Sequence, residues 1–401
     1  LEYPLGKIIY QTAGWVSHVR VSPDGKLVAF IDHPLARDDA GSIFIVDQAG
    51  NVKKLSQDFV SAQGLAWRPD GKEIWFTATT SGSSRELRAT TLAGKERLIY
   101  LGTGTLTLND IFKDGRVLFS RDDMRAGMTG AAPGEHTERD LSWHDWTVPR
   151  DISNDGKLVA FDETGEAGGE TGTIYIRGSD GSPAVRLADG RSPTFSPDGK
   201  HVLASDFPLH SDLLELPTGA GESRRIPTGG VRVHQAYYFP DGKHILEIGN
   251  TPEGHGLRMW VQDSAGGTPR AISPEGISVR YRGCISPDGT RVAARDPEGL
   301  PSIYSVADGT AAPVPGRQEG DEPAHWTPDG KALLVGRPGL PTQVFKIDLA
   351  TGARKLFMTV TAIDPTGLID SSAPDFSTDL SAYVYSYTRI TSDLYIVEGL
   401  K

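Results

Sequence analysis

Eight polar side chains stand six to eight positions ahead of a repeated aspartate: His18, Gln63, Arg191, His234, Gln235, Tyr281, Arg282 and Glu322. Imidazole, amide, guanidinium, phenol and carboxylate groups held at one phase of a repeat suit a small polar ligand or a peptide, recognised by convergent hydrogen bonds. The same residues would also line a water-filled channel that binds nothing. A second cluster, Asp32, His33, Arg37, Asp38 and Asp39, mixes acids, a base and an imidazole within eight residues. It reads either as a binding loop or as a loop braced by Arg–Asp pairs. Covalent chemistry has no matching pattern: Gly-x-Ser-x-Gly, His-Glu-x-x-His and Cys-x-x-Cys are all missing. Neither a catalytic residue, a metal site nor a cofactor is expected. The acidic run Asp162-Glu-Thr-Gly-Glu-Ala-Gly-Gly-Glu170 could chelate calcium, but it lacks the alternating spacing of a dedicated loop, and a solvated turn is expected there.

The repeated aspartates are Asp24, Asp70, Asp114, Asp155, Asp198, Asp241, Asp288, Asp329 and a degenerate Asp379, separated by 41 to 50 residues. Around Asp24 the phrase is Ser22-Pro-Asp-Gly-Lys26, with apolar residues alternating on both sides. Pro presets φ, Asp tolerates the third turn position and Gly accepts positive φ, so each phrase predicts a β-hairpin. Three residues before each aspartate stands an apolar or aromatic side chain: Val21, Trp67, Ile111, Ile152, Phe195, Tyr238, Ile285, Trp326 and Phe376. These nine are expected to pack between neighbouring sheets. Later turns, such as Asp47-Gln-Ala-Gly50 and Ala350-Thr-Gly352, add two further strands to each repeat.

Four strands per repeat at a period in the forties predict an all-β propeller. Nine hairpins predict nine blades, starting near residues 17, 62, 105, 147, 191, 233, 279, 321 and 366, in one closed domain spanning 1–401. An eight-bladed ring would have to discard one hairpin. The last repeat offers three strands, and Lys7-Ile-Ile-Tyr-Gln11 is expected to complete it, closing the seam. The ligand-facing loops are expected at Asp32–Gly41, Arg121–Gly130, Asp162–Gly172 and Gly249–Gly256.

The formal charge of −11 argues against nucleic acid and against anionic membrane as partners. The one cysteine, Cys284, is expected to be a small buried residue. No apolar run is long enough to span a bilayer, so any membrane attachment is expected through a segment outside these residues.

The repeats resemble the WD40-like propeller repeats of TolB and of prolyl-oligopeptidase propellers. Longer phrases are more specific: Ala13-Gly-Trp-Val-Ser-His-Val-Arg-Val-Ser-Pro-Asp-Gly25, Asp32-His-Pro34 with Asp38-Asp39, Glu138-Arg-Asp-Leu-Ser-Trp143, Asp162-Glu-Thr-Gly-Glu166 and Thr388–Lys401. They are similar to the C-terminal, extracytoplasmic propeller regions of bacterial receptor-type serine/threonine kinases, acidobacterial ones above all. The resemblance implies a periplasmic or cell-surface sensor binding a small polar ligand, a peptide or a protein. The kinase parts themselves are missing: Glu138-Arg-Asp-Leu141 has no histidine before it, and there is no Asp-Phe-Gly. The expectation is therefore a non-enzymatic sensor propeller. Its alternatives are a TolB-like protein-interaction scaffold and a propeller enzyme with an axial active site.

Overall fold

The computed structural model describes residues 1–400 apart from 36–37, 82–83, 103, 170, 207–211 and 281, and without the side chains of 166 and 282. The described residues are all-β, with antiparallel sheets that follow the sequence except where Val117–Ala131 pairs with Tyr383–Val397, and with two short 3-10 turns. Each of the nine Asp-Gly phrases lies at a hairpin connection or at its degenerate equivalent. The turn chemistry is that read from the sequence. Ser22 Oγ donates to Asp24 Oδ1 (2.7 Å), the Lys26 amide donates to the same oxygen (3.2 Å), and Gly25 takes φ +74°. Even Thr378-Asp-Leu380, which lacks glycine, keeps the bond from Ser377 Oγ to Asp379 Oδ1 (2.8 Å), with Leu380 at φ +63°.

The chain divides into two compact units, residues 1–124 with 390–401 and residues 125–389. The boundaries fall inside two 15-residue strands, Val117–Ala131 and Tyr383–Val397. The first unit holds one sheet of Trp15–Val21, Leu27–His33, Ser42–Asp47 and Val52–Lys54, and another of Ser61–Trp67, Glu73–Thr79, Glu86–Thr91 and Glu96–Tyr100. In its third sheet Thr105–Ile111 pairs with the start of Val117–Ala131. Residues 390–397 lie alongside, with Arg121 bonded to Asp393 (2.7 Å) and Ser392 to Asp122 (2.7 Å).

The second unit has four complete four-stranded sheets, whose innermost strands are Thr147–Ile152, Arg191–Phe195, Arg232–Tyr238 and Glu322–Trp326. In a fifth, the innermost strand is reduced to the isolated bridges Ser278↔Arg295 and Ile285↔Val292. The sixth begins with Leu368–Ser371 and Asp375–Phe376 against the start of Tyr383–Val397. The end of Val117–Ala131, paired with Arg139–Asp140, completes it. Gly130 has no Cβ because one would meet the Tyr383 carbonyl at 2.5 Å. The sixth sheet meets the first of this unit: the Thr378 amide and hydroxyl bond Asn154, and Ala382 and Val384 share a core with Ile152 and Phe161.

Two expectations are corrected here. Residues 7–11 do not complete the last sheet. Ile9 is buried against Val28, Phe30 and Val46 of the first sheet, and Tyr10 lies 4.6 Å from the Phe30 ring. Apolar burial on that sheet fixes the segment. Arg121–Gly130 is no loop but the middle of a strand. Of the nine side chains three before the aspartates, eight are buried, while Val21 is 46% exposed. Trp67 and Trp326 instead reach back to the preceding repeat, their indole N–H groups donating to the carbonyls of Arg20 (3.0 Å) and Cys284 (2.8 Å). Cys284 is buried, its Sγ 3.3 Å from the Pro323 carbonyl.

Candidate functional site

The innermost strands share a defect that places the polar side chains. Their pairing slips at residues 17–20, 63–65, 108–110, 149–151, 191–194, 233–235 and 323–325, one β-bulge in each of seven repeats. A bulge re-aims a side chain and often sits beside a site. Six residues before the aspartate, His18 and Ser192 adopt φ +51° and +56°, a left-handed conformation that non-glycine residues rarely hold. At the same phase Gly64 sits at φ +78°, where a Cβ would strike Leu108 backbone atoms at 2.4 and 2.5 Å.

In the first unit these bulges gather one polar network. His33 Nδ1–H donates to the Ala40 carbonyl (3.1 Å), leaving Nε2 to accept from the Ser17 hydroxyl (2.6 Å), whose oxygen accepts from His18 Nδ1–H (2.8 Å). Trp15 stacks on His33 at 4.0 Å and donates its indole N–H to the Asp38 carbonyl (3.0 Å). Burial, then the charge of Arg20, pushes the His18 pKa down to about 4, so its imidazole is neutral at pH 7 and Nε2 is a lone-pair acceptor. Asp39 accepts from Ser61 (2.6 Å), Gln63 (3.5 Å) and Arg85 (3.4 Å). Arg85 is buried and continues to Thr107 (3.0 Å), which donates to Asp122 (2.9 Å). Three sheets thus contribute to one end of their inner strands. Asp32 belongs to the same strand as His33 and keeps a buried oxygen without a hydrogen-bond partner.

In the second unit the expected residues fall into local groups. Gln235 donates to the Arg280 carbonyl (3.4 Å), and the Arg280 guanidinium meets Glu322 (3.4 Å), which also holds Arg295 (3.4 Å). His234 contacts Asn250 (3.3 Å), and Arg191 donates to the Thr171 carbonyl (3.3 Å). Asp162, fully buried, accepts from Arg150 (3.0 Å) and from the strained Ser192 amide (2.8 Å). Arg37, Tyr281, Glu170 and the Arg282 side chain lie outside the described residues. At the opposite, hairpin-turn end of this unit lies a cavity of about 140 Å³. Asn154, Pro197, Pro240, Pro287 and Thr378 line it, each the second residue of its turn, over Trp326.

Sequence reasoning missed Arg85, Asp122, Arg280 and Asp162 as network members. Arg85, Asp122 and Asp162 lie outside the phase that marks the inner strands. Arg280 stands eight before Asp288, at that phase but one position ahead of Tyr281 and Arg282. Among the described residues no group of three or more acidic, histidine or cysteine side chains is arranged to hold a metal ion. No described helix is long and apolar enough to cross a membrane.

Sheets of four antiparallel strands, succeeding one another with the inner hairpin always first, define a β-propeller protein. No protein-family model matches the chain, and no curated protein matches it. Among solved structures it is similar to a putative TolB from Agrobacterium tumefaciens, at TM-score 0.47 and 17% identity over 67% of this chain and 99% of that one. It is also similar to TolB from Acinetobacter baumannii (TM-score 0.30, 14% identity, 94% of this chain and 66% of that one) and to the tricorn protease (0.33, 12%, 93% and 43%). These are likenesses of fold.

Proposed function

We propose that the chain is a non-catalytic binding propeller whose recognition surface is the upstream end of the inner strands in the first unit. The observation that carries this reading is the His18–Ser17–His33 chain beside Asp39, Gln63 and Arg85. A neutral imidazole in left-handed backbone offers an acceptor. Asp39 and Gln63 add an acceptor and a donor, and the stacked Trp15–His33 pair gives a planar wall. That inventory suits a small polar molecule or a peptide end bearing its own N–H or O–H groups.

The second unit is, in this reading, a ring of six blades. The Asn154–Thr378 bonds between its first and last sheets support it, as does a cavity to which all six sheets contribute. The motif resemblance extends the proposal to a sensor region of a bacterial receptor-type kinase, acting outside the cytoplasm. A TolB-like scaffold would instead bind a protein without needing His18. A thermal-shift screen of amino acids, sugars and nucleosides tests the proposal. Hits are expected with the wild-type chain and not with His18→Asn, which tolerates the left-handed backbone. Hits of equal size in both proteins, or none in either, would reject the site.

A further inference from the structure

Among the described residues the third sheet of the first unit has three strands. The first and second sheets have four strands each. The third has Thr105–Ile111, the start of Val117–Ala131 and residues 390–397, and no strand lies on the outer side of these last residues among the described ones. An open edge presents unpaired N–H and C=O groups, and natural sheets usually blunt it with lysine, proline or a bulge. Ile390–Glu398 contains neither lysine nor proline. Its side chains are apolar and exposed: Leu394 67%, Tyr395 37% and Ile396 55%.

A pocket of about 250 Å³ opens beside this edge, lined by Tyr100, Leu106, Phe119, Tyr395, Val397 and Leu400, with Arg121 as its one charged side chain. The rings of Tyr100, Phe119 and Tyr395 follow one another at 6.3 and 5.8 Å. Leu98 and Leu101, flanking Tyr100, are exposed as well. The edge is acidic at both ends of the apolar run. Asp393 is 62% exposed although it meets Arg121, and Glu398 is exposed.

We propose that this edge docks an extended strand of a partner protein, which adds to the third sheet as its fourth strand. Main-chain hydrogen bonds supply the pairing, alternate apolar side chains enter the pocket, and lysine or arginine at the strand ends meets Asp393 and Glu398. A second copy of the edge fits less well, because Ile390–Glu398 brings two carboxylates and no cation.

A peptide of the chain's own sequence Ala-Gly-Lys-Glu-Arg-Leu-Ile-Tyr-Leu, residues 93–101, serves as a probe. It carries Lys95 and Arg97 ahead of an apolar run and forms the fourth strand of the second sheet. Fluorescence anisotropy is expected to show saturable binding to the whole chain, weakened at least tenfold by Ile396→Lys and by N-methylation of alternate peptide amides. Leu394→Lys is the second variant, and unchanged far-UV circular dichroism establishes that each variant is folded. The proposal is overturned if the peptide does not bind, or if the N-methylated peptide binds as well as the parent. It is also overturned if sedimentation shows a dimer of the chain that Ile396→Lys disperses, since the edge would then be its own partner.

Discussion

Glu247 is the sharpest energetic test of the packing. It stands mid-strand in His244–Asn250, opposite Ala236 and Trp260, fully buried, and neither carboxylate oxygen has a hydrogen-bond partner. Burial alone raises its pKa from 4.5 to about 8. The folded protein therefore keeps a proton that the unfolded chain gives up near pH 4.5, and ∂ΔG/∂pH is negative between those values. Stability is full below pH 4.5, falls as pH rises towards 8, and is flat beyond. At about 1.4 kcal/mol per pH unit, the loss at pH 7 is about 3 kcal/mol and approaches about 5 kcal/mol above pH 8. Glu247→Met keeps an unbranched chain of similar volume and removes the proton. Urea unfolding of wild type and variant from pH 4.5 to 9 isolates the effect, because every other titrating group cancels in the difference. The variant should gain on the wild type steadily up to pH 8. A difference independent of pH would mean that the carboxyl is solvated and the packing described around it is wrong.

Other outcomes follow from single sites. Gly64→Ala should destabilise the chain by several-fold more than Gly25→Ala. Both glycines have positive φ, but only Gly64 faces Leu108 backbone, and Gly25 has open space, where about 1 kcal/mol is expected from the left-handed conformation; chemical denaturation of the pair measures it. Asp321, fully buried between Arg337 (3.0 Å) and Arg354, should cost about 3–5 kcal/mol as Asp321→Ala, read from the urea midpoint, because two cations lose their counter-charge. Ile9→Ala should cost about 2–5 kcal/mol in the same assay, since Ile9 covers Val28, Phe30 and Val46. An effect near zero would restore the reading in which that segment belongs elsewhere.

The hairpins were legible because their determinants are local. Ser22, Pro23, Asp24 and Gly25 fix the turn among themselves, and the same bonds recur at Ser196–Asp198 and Ser286–Asp288. Strand partnership across the chain was not legible. Arg121-Asp-Asp-Met-Arg-Ala-Gly-Met-Thr-Gly130 is charged and glycine-rich, which locally signals a loop. Its extended form depends on residues some 270 positions later, as in the Arg121–Asp393 pair. The N-terminal segment was misassigned for a related reason: Ile-Ile-Tyr suits any half-buried surface, and only the fold decides which one. At the site, the phase ahead of each aspartate found His18 and Gln63 because the bulge recurs at that phase. It passed over Arg85, which enters the network from the loop before the third strand of its sheet. Arg85 carries no repeat signal and is recognisable only by its burial between Asp39 and Asp122.

The proposed binding role stands or falls on His18. Calorimetric titration of the strongest ligand from the thermal-shift screen, into wild type and into His18→Asn, tests it most directly. The account predicts at least tenfold weaker affinity in the variant at pH 7. It also predicts in the wild type a loss of binding only near pH 4, where the imidazole gains its proton. Equal affinities in the two proteins, or a midpoint near the ordinary histidine value of about 6.5, would contradict it.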